Sequence, residues 1–104
     1  SIHANSFLAP EPNGTETFFY GVASESQRLA GCVHSTLVAS LGLRDRNVKE
    51  RELYLLREVR VPSCLVEVAF ASNIEEEILM MSPNFRQKAA SAIFEGLQKY
   101  FKAQ

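Results

Sequence analysis

The chain has no C-x-x-C pair, no excess of either charge and no long apolar run, and each absence removes a class of function. Its two cysteines, Cys32 and Cys64, lie far apart, with no second Cys or His at metal-ligand spacing beside either, which excludes a zinc ribbon. Cys32 falls in a helical pattern and Cys64 in an apolar run, where thiols act as small hydrophobes; a disulfide between them stays open. Eleven Lys plus Arg against twelve Asp plus Glu leave a net charge of -1. That is too little to hold a phosphate backbone by counterion release, so nucleic acid is not an expected partner. No apolar stretch approaches the ~20 residues that span a bilayer, and no basic segment followed by an apolar one opens the chain as a secretory leader would. What is present is a globular balance. With 46% hydrophobic and 22% charged residues, 104 residues can build one core. Such a length buries roughly two-thirds of its unfolded surface, so one domain or part of one is the limit.

Local patterns divide the chain into alternating strands and helices. Ser1-Ile2-His3 reads as a strand stub met partway through, and Pro10, Pro12, Asn13 and Gly14 mark the loop that follows. Residues 15–20, Thr-Glu-Thr-Phe-Phe-Tyr, are β-branched and aromatic and predict a strand ended by Gly21. Ser24 is placed to cap a helix whose Leu29, Val33, Leu37 and Leu41 recur at i+4 until Gly42 stops it. Residues 44–60 interleave six basic residues with Asp45, Glu50, Glu52 and Glu58, the pattern of a solvated face. Within them the apolar run 53–56 predicts a short strand. The run 64–70 predicts a strand covered on both faces. Ser72-Asn73 caps a short helix with Glu75, Glu76 and Glu77 in its first turn, favourable at the positive end of the helix dipole. Ser82-Pro83 opens the last helix, with a stripe of Phe85, Ala89, Ile93, Leu97, Tyr100 and Phe101. Strands alternating with helices point to an α/β layer architecture.

Two residues break these patterns. Glu67 stands inside the most apolar run, where an unpaired carboxylate costs several kcal/mol or takes up a proton. Either a buried ion pair, with Arg57 as a candidate, accounts for it, or it is a carboxylate whose raised pKa suits proton transfer. His3 lies where a strand passes into a loop, the rim at which open α/β sheets gather ligands, although surface histidines are common there too. His34 lies at the border of its helix's apolar stripe with no acidic or His partner at i±4, and reads as a boundary histidine and not a ligand.

Six short words in order then carry a resemblance. Residues 1–6 (SIHANS), 13–20 (NGTETFFY), 42–46 (GLRDR), 55–58 (LLRE), 61–73 (VPSCLVEVAFASN) and 75–77 (EEE) resemble the zinc-dependent N-acetylmuramoyl-L-alanine amidases of bacterial peptidoglycan. The resemblance implies an α/β domain, a mixed β-sheet covered by helices on both faces, with one catalytic Zn2+ held by two His and one Glu. In chain order His3 matches the last of these ligands, and Glu67 matches the catalytic carboxylate. The two earlier ligands have no match within residues 1–104, so the chain is expected to be the C-terminal part of one catalytic domain, beginning at its third zinc ligand and active only with the rest. Asn5 is expected to hydrogen-bond a substrate amide and Arg57 to meet a peptide carboxylate or, equally, to pair with a nearby acid.

The implied reaction is hydrolysis of the amide joining N-acetylmuramic acid to L-alanine, by a monomer acting outside the cell, at the wall or in the periplasm, or in phage or spore lysis. Its partners are the stem peptide and glycan of peptidoglycan, with no nucleic acid and no membrane span. The alternative is an inactive peptidoglycan-binding module of the same fold. Two positions depart from the family pattern: Asn47 stands where Gly is usual, which a left-handed turn tolerates, and Ala69 also replaces Gly, adding a methyl expected to narrow the site slightly.

Overall fold

The computed structural model describes residues 1–22 and 24–102. The elements run β1 (Ile2–Asn5), β2 (Thr15–Phe19), α1 (Glu25–Leu41), β3 (Asp45–Glu50), α2 (Tyr54–Glu58), β4 (Leu65–Phe70), α3 (Ile74–Met81) and α4 (Pro83–Lys102). The strands form one mixed sheet in the order β1-β4-β2-β3. β1 pairs parallel to β4, β2 antiparallel to β4 and β3 parallel to β2. The expected α/β class and mixed sheet are therefore what forms.

Helix ends obey local chemistry. Ser24 Oγ accepts the amide of Gln27 at 3.2 Å and Asn73 Oδ1 that of Glu76 at 3.1 Å, each satisfying an N-terminal donor with no partner inside the helix. Gly42, at φ 69°, closes α1 in the left-handed conformation. Ser82 Oγ meets the amide of Phe85 at 3.4 Å as α4 begins.

Leu29, Val33 and Leu37 of α1, Val66 and Val68 of β4, and Ala89, Ala92 and Tyr100 of α4 share one core. The buried line of α4 is Ala89, Ala92, Gly96 and Tyr100, with Phe101 left exposed, so the stripe predicted from large residues is rotated. Small residues win that face because α1 and α4 nearly touch: a methyl on Gly96 would lie 2.6 Å from Val33 Cα and 2.8 Å from Thr36 Oγ1. Gly96→Ala is expected to cost about 1–3 kcal/mol by overpacking. Gly31→Ala, on α1 with open space at its Cβ, should be neutral or stabilising by about 0.5–1 kcal/mol. Thermal unfolding followed by circular dichroism would separate them; equal melting temperatures would refute the close-contact account.

Three expectations are corrected. Residues 53–56 do not form a strand. They lead into the single-turn helix α2, where Leu56 alone is buried while Tyr54 and Leu55 stay exposed, so the run lacks the two-fold periodicity of a strand. The charged stretch 44–60 is not only a solvated face, because it contains β3, whose charges suit an edge strand that must resist pairing with other chains. β4 is not covered on both faces, since Leu65 and Glu67 remain half-buried while Val66 and Val68 are in the core. Cys32 and Cys64 are free thiols packed against that core, and burial pushes the Cys64 thiol up.

Candidate active site

Strand alternation decides which side chains share a face. Thr17 Oγ1 bonds His34 Nδ1 at 2.9 Å, so Thr17 points to α1, and its neighbours Glu16 and Phe18 point to the opposite face. In register across the sheet, His3 pairs with Glu67 and Glu67 with Glu16. Directly opposed residues lie on one face with Cβ atoms about 5 Å apart. A row of one imidazole and two carboxylates thus crosses β1, β4 and β2 on the face away from α1.

The two carboxylates differ sharply. Glu16 is 5% exposed and neutralised by Arg46 Nε at 2.7 Å and Lys49 Nζ at 3.7 Å. Glu67 is half-buried and makes no hydrogen bond or ion pair within the described residues. Burial pushes its carboxyl above the usual range; His3 pulls it down, Glu16 pushes it up, and Arg51 pulls it down. The ion pair with Arg57 does not form. The Arg57 guanidinium is held by Glu58 at 2.9 Å and Glu52 at 3.1 Å on the surface. Arg51 instead stands near Glu67, its guanidinium 4.4 Å above the Phe18 ring.

His3 is exposed on β1, with Ser1 Oγ 2.6 Å from its Nε2. Asn5 follows it at the strand end, its carbonyl accepting the Ala71 amide at 2.7 Å and its side-chain oxygen the Ser6 amide at 2.9 Å. Both side-chain and backbone bonds orient Asn5 along a groove of about 560 Å³ that also contains Glu16, Arg46 and Phe70. His34 is not at a boundary. It is 5% exposed, and its Nε2 meets Asp45 Oδ1 at 2.7 Å, a partner eleven residues away on β3 that an i±4 search does not reach. With both ring nitrogens engaged, His34 is tied into packing. The same Asp45 carboxylate accepts the amide of Asn47 at 2.8 Å, and Asn47 takes φ 73°, the left-handed turn expected of it. The bond from His34, then that from Asn47, holds the Asp45 carboxyl below its usual range. Ala69 is fully buried in the core cluster, so packing absorbs its methyl, which does not narrow an open site.

Two important residues escaped the sequence reading. Glu16 was hidden inside a strand-like word, although Thr15, Thr17 and Phe19 alternating with Glu16 and Phe18 was the available signal. Glu76 had no signal. Of the three adjacent glutamates it alone is buried, accepting the Gly14 amide through both oxygens at 3.1 and 2.9 Å and the Phe70 amide at 2.8 Å. It ties the start of β2 to the end of β4, which keeps Glu16 and Glu67 in register.

For a metal, His3 is a suitable donor on the Glu67 face. Among the described residues, however, no three His, Cys, Asp or Glu side chains converge to hold an ion.

The N-acetylmuramoyl-L-alanine amidase family model matches residues 1–99. The chain is 38% identical over 104 residues to the N-acetylmuramoyl-L-alanine amidase LytC of Bacillus subtilis, covering 98% of this chain and 21% of that protein. Its structure is similar to the catalytic domain of CwlV from Bacillus (Paenibacillus) polymyxa, with a TM-score of 0.91, 32% identity and coverage of 99% and 56%. It is also similar to an N-acetylmuramoyl-L-alanine amidase of Clostridium difficile 630, with a TM-score of 0.95, 30% identity and coverage of 99% and 56%. The chain thus spans about a fifth of the first relative and about half of each solved chain. Family match, sequence identity and fold agree: this chain belongs to the N-acetylmuramoyl-L-alanine amidase family.

Proposed function

We propose that the protein hydrolyses the amide between N-acetylmuramic acid and L-alanine in peptidoglycan, at the cell wall, with Glu67 moving the proton. One observation carries the reading: Glu67 is a half-buried carboxylate on an interior strand, raised in pKa by burial and without a hydrogen-bond or ion-pair partner among the described residues. A structural carboxylate at such a place would be paired, as Glu16 is by Arg46. A carboxylate kept unpaired is available to take a proton from an attacking water and return it to the leaving nitrogen.

His3 would hold a zinc ion together with two ligands outside residues 1–104. When bound, zinc supplies Lewis acidity that polarises the amide carbonyl and makes water a better acid. The rest belongs to the chain's own residues. Burial pushes the Glu67 carboxyl above the usual carboxylate range, with His3 pulling it down, Glu16 across the sheet pushing it up and Arg51 pulling it down, and a raised carboxyl suits proton return to the leaving amine. Asn5 is oriented to receive a substrate amide. Arg57, bonded to Glu52 and Glu58, would reach a peptide carboxylate only by exchanging one of these surface acids.

His3→Ala in the full-length protein is expected to lose zinc and activity together, because two remaining ligands hold the metal poorly. Zinc stoichiometry by elemental analysis and release of peptides from purified cell walls test this. Full zinc occupancy in the variant would remove His3 from the ligand set. A parent protein that binds walls without releasing peptide would leave the binding module standing in its place.

A further inference from the structure

We propose that the groove beside Glu67, walled by Arg44, Lys49 and Arg51, recognises a free carboxylate of the stem peptide and so decides which muropeptides the site accepts. The inference rests on the amidase reading and names the part of the substrate that the reading leaves open. Four cationic side chains, Arg44, Arg46, Lys49 and Arg51, line this groove of about 560 Å³ against two carboxylates, Glu11 and Glu16.

The four cations are not equivalent. Arg46 is committed: it bonds Glu16 at 2.7 Å and the Asn13 carbonyl at 3.3 Å, and lies 5.0 Å over the Phe70 ring. Lys49 is only loosely held by the same carboxylate at 3.7 Å, with 42% of its side chain exposed. Arg44 and Arg51 have no carboxylate partner among the described residues, in a chain that carries twelve acidic residues. The backbone of Arg44 and the guanidinium of Arg51 are each held in place. The Arg44 carbonyl accepts the Thr15 amide at 2.8 Å, and its backbone lies so close to Gly14 that a methyl there would come within 2.4 Å of that oxygen. Arg51 rests on Phe18, a contact that orients the guanidinium without using its N–H donors.

Edge strands often carry charge simply to prevent pairing. That role requires charges facing outward, whereas these cations line a concavity shared with Asn5 and Glu16. Guanidinium groups without a carboxylate partner among the described residues suit a planar, bidentate anion, and carboxylate is the anion that a wall peptide offers. At about 3.3 Å per residue, the extended chain from Arg44 to Arg51 spans roughly 23 Å, the reach of a short extended peptide. A peptide whose first amide is placed at Glu67 would present its later carboxylates to this wall.

The test uses the full-length protein and N-acetylmuramoyl tetrapeptides of one length, carrying either a free carboxylate or a carboxamide at the second residue and, separately, at the C-terminus. The parent is expected to favour a free carboxylate at one of these positions by at least tenfold in kcat/KM, mostly through KM, and the position that matters identifies the source. Arg44→Gln with Lys49→Gln should bring that ratio to within about twofold with an unchanged melting temperature, and Lys49→Arg should retain it. Binding of the free and amidated tetrapeptides to the Glu67→Gln protein, by calorimetry, separates the two readings. Carboxylate-dependent binding that needs Arg44 and Lys49, together with a parent protein that hydrolyses no muropeptide, would support the groove and end the amidase reading. Hydrolysis with a ratio insensitive to Arg44 and Lys49 would overturn the groove and leave the amidase. Stronger binding of poly(glycerol phosphate) than of the peptides would also overturn the assignment, in favour of a phosphate wall polymer.

Discussion

Glu67→Gln is expected to lower the rate of amide hydrolysis by about 10²–10⁴-fold, the range contributed by a positioned general acid or base, while zinc content stays at the parent level. Gln keeps the shape and removes only the titrating proton. The stability change has a definite sign. Burial raises the folded-state pKa of Glu67 above its unfolded value, so ionising it costs stability at any pH above the folded pKa, and this cost fades as pH falls through that value. At pH 7 the variant should therefore melt at the same temperature as the parent or slightly above it, and the two should converge below the ordinary carboxylate range. Muropeptide release, bound zinc and melting curves from pH 4 to 8 check the three parts. Activity retained above a few per cent, or a large loss of zinc, would remove Glu67 from proton transfer. A variant melting well below the parent at pH 7 would show instead that the carboxylate is structural.

The second large effect is expected at a residue with no part in the chemistry. Glu76→Ala strips the Gly14 and Phe70 amides of their acceptor inside the protein. Each buried donor left without a partner costs about 1–3 kcal/mol, so with two such donors the variant should lose about 2–6 kcal/mol. For a domain near this size, that corresponds to a fall in melting temperature of more than about 10 °C. Glu76→Gln keeps one acceptor oxygen and should lose roughly half as much. Glu75→Ala and Glu77→Ala, on exposed neighbours, should stay within about 0.5 kcal/mol of the parent. Activity should fall with Glu76→Ala because the start of β2 and the end of β4 are no longer tied across the Glu16 and Glu67 pair. Equal stability across the three alanine variants would mean that water replaces the Glu76 oxygens at no cost.

These two residues also mark what could be learned before folding and what could not. By itself the sequence determined the features that arise within a few residues of chain. Ser24 and Asn73 cap their helices with their own side chains; Gly42 and Asn47 supply left-handed turns; and Leu29, Val33 and Leu37 fall on one face at i+4. Glu67 was legible too, because a charge inside an apolar strand conflicts with its surroundings whatever the fold. The words around His3 and Glu67 were enough to indicate the family, since they keep their order along the chain.

Only the tertiary structure decided which distant residues meet. β3 was concealed because its edge-strand charges mimic a solvated face, and only pairing with β2 makes it a strand. The 53–56 run became a helix because a single residue, Leu56, finds a buried place. Arg57 lost Glu67 as a partner to two acids near it in sequence, while Arg51 gained a position beside Glu67 through the sheet. Glu76, His34 and Glu16 take their roles from Phe70 and Gly14, Asp45, and Arg46, respectively. Sequence patterns record periodicity along one element, whereas burial and electrostatics depend on the register between elements, and register is settled only when the whole sheet has formed.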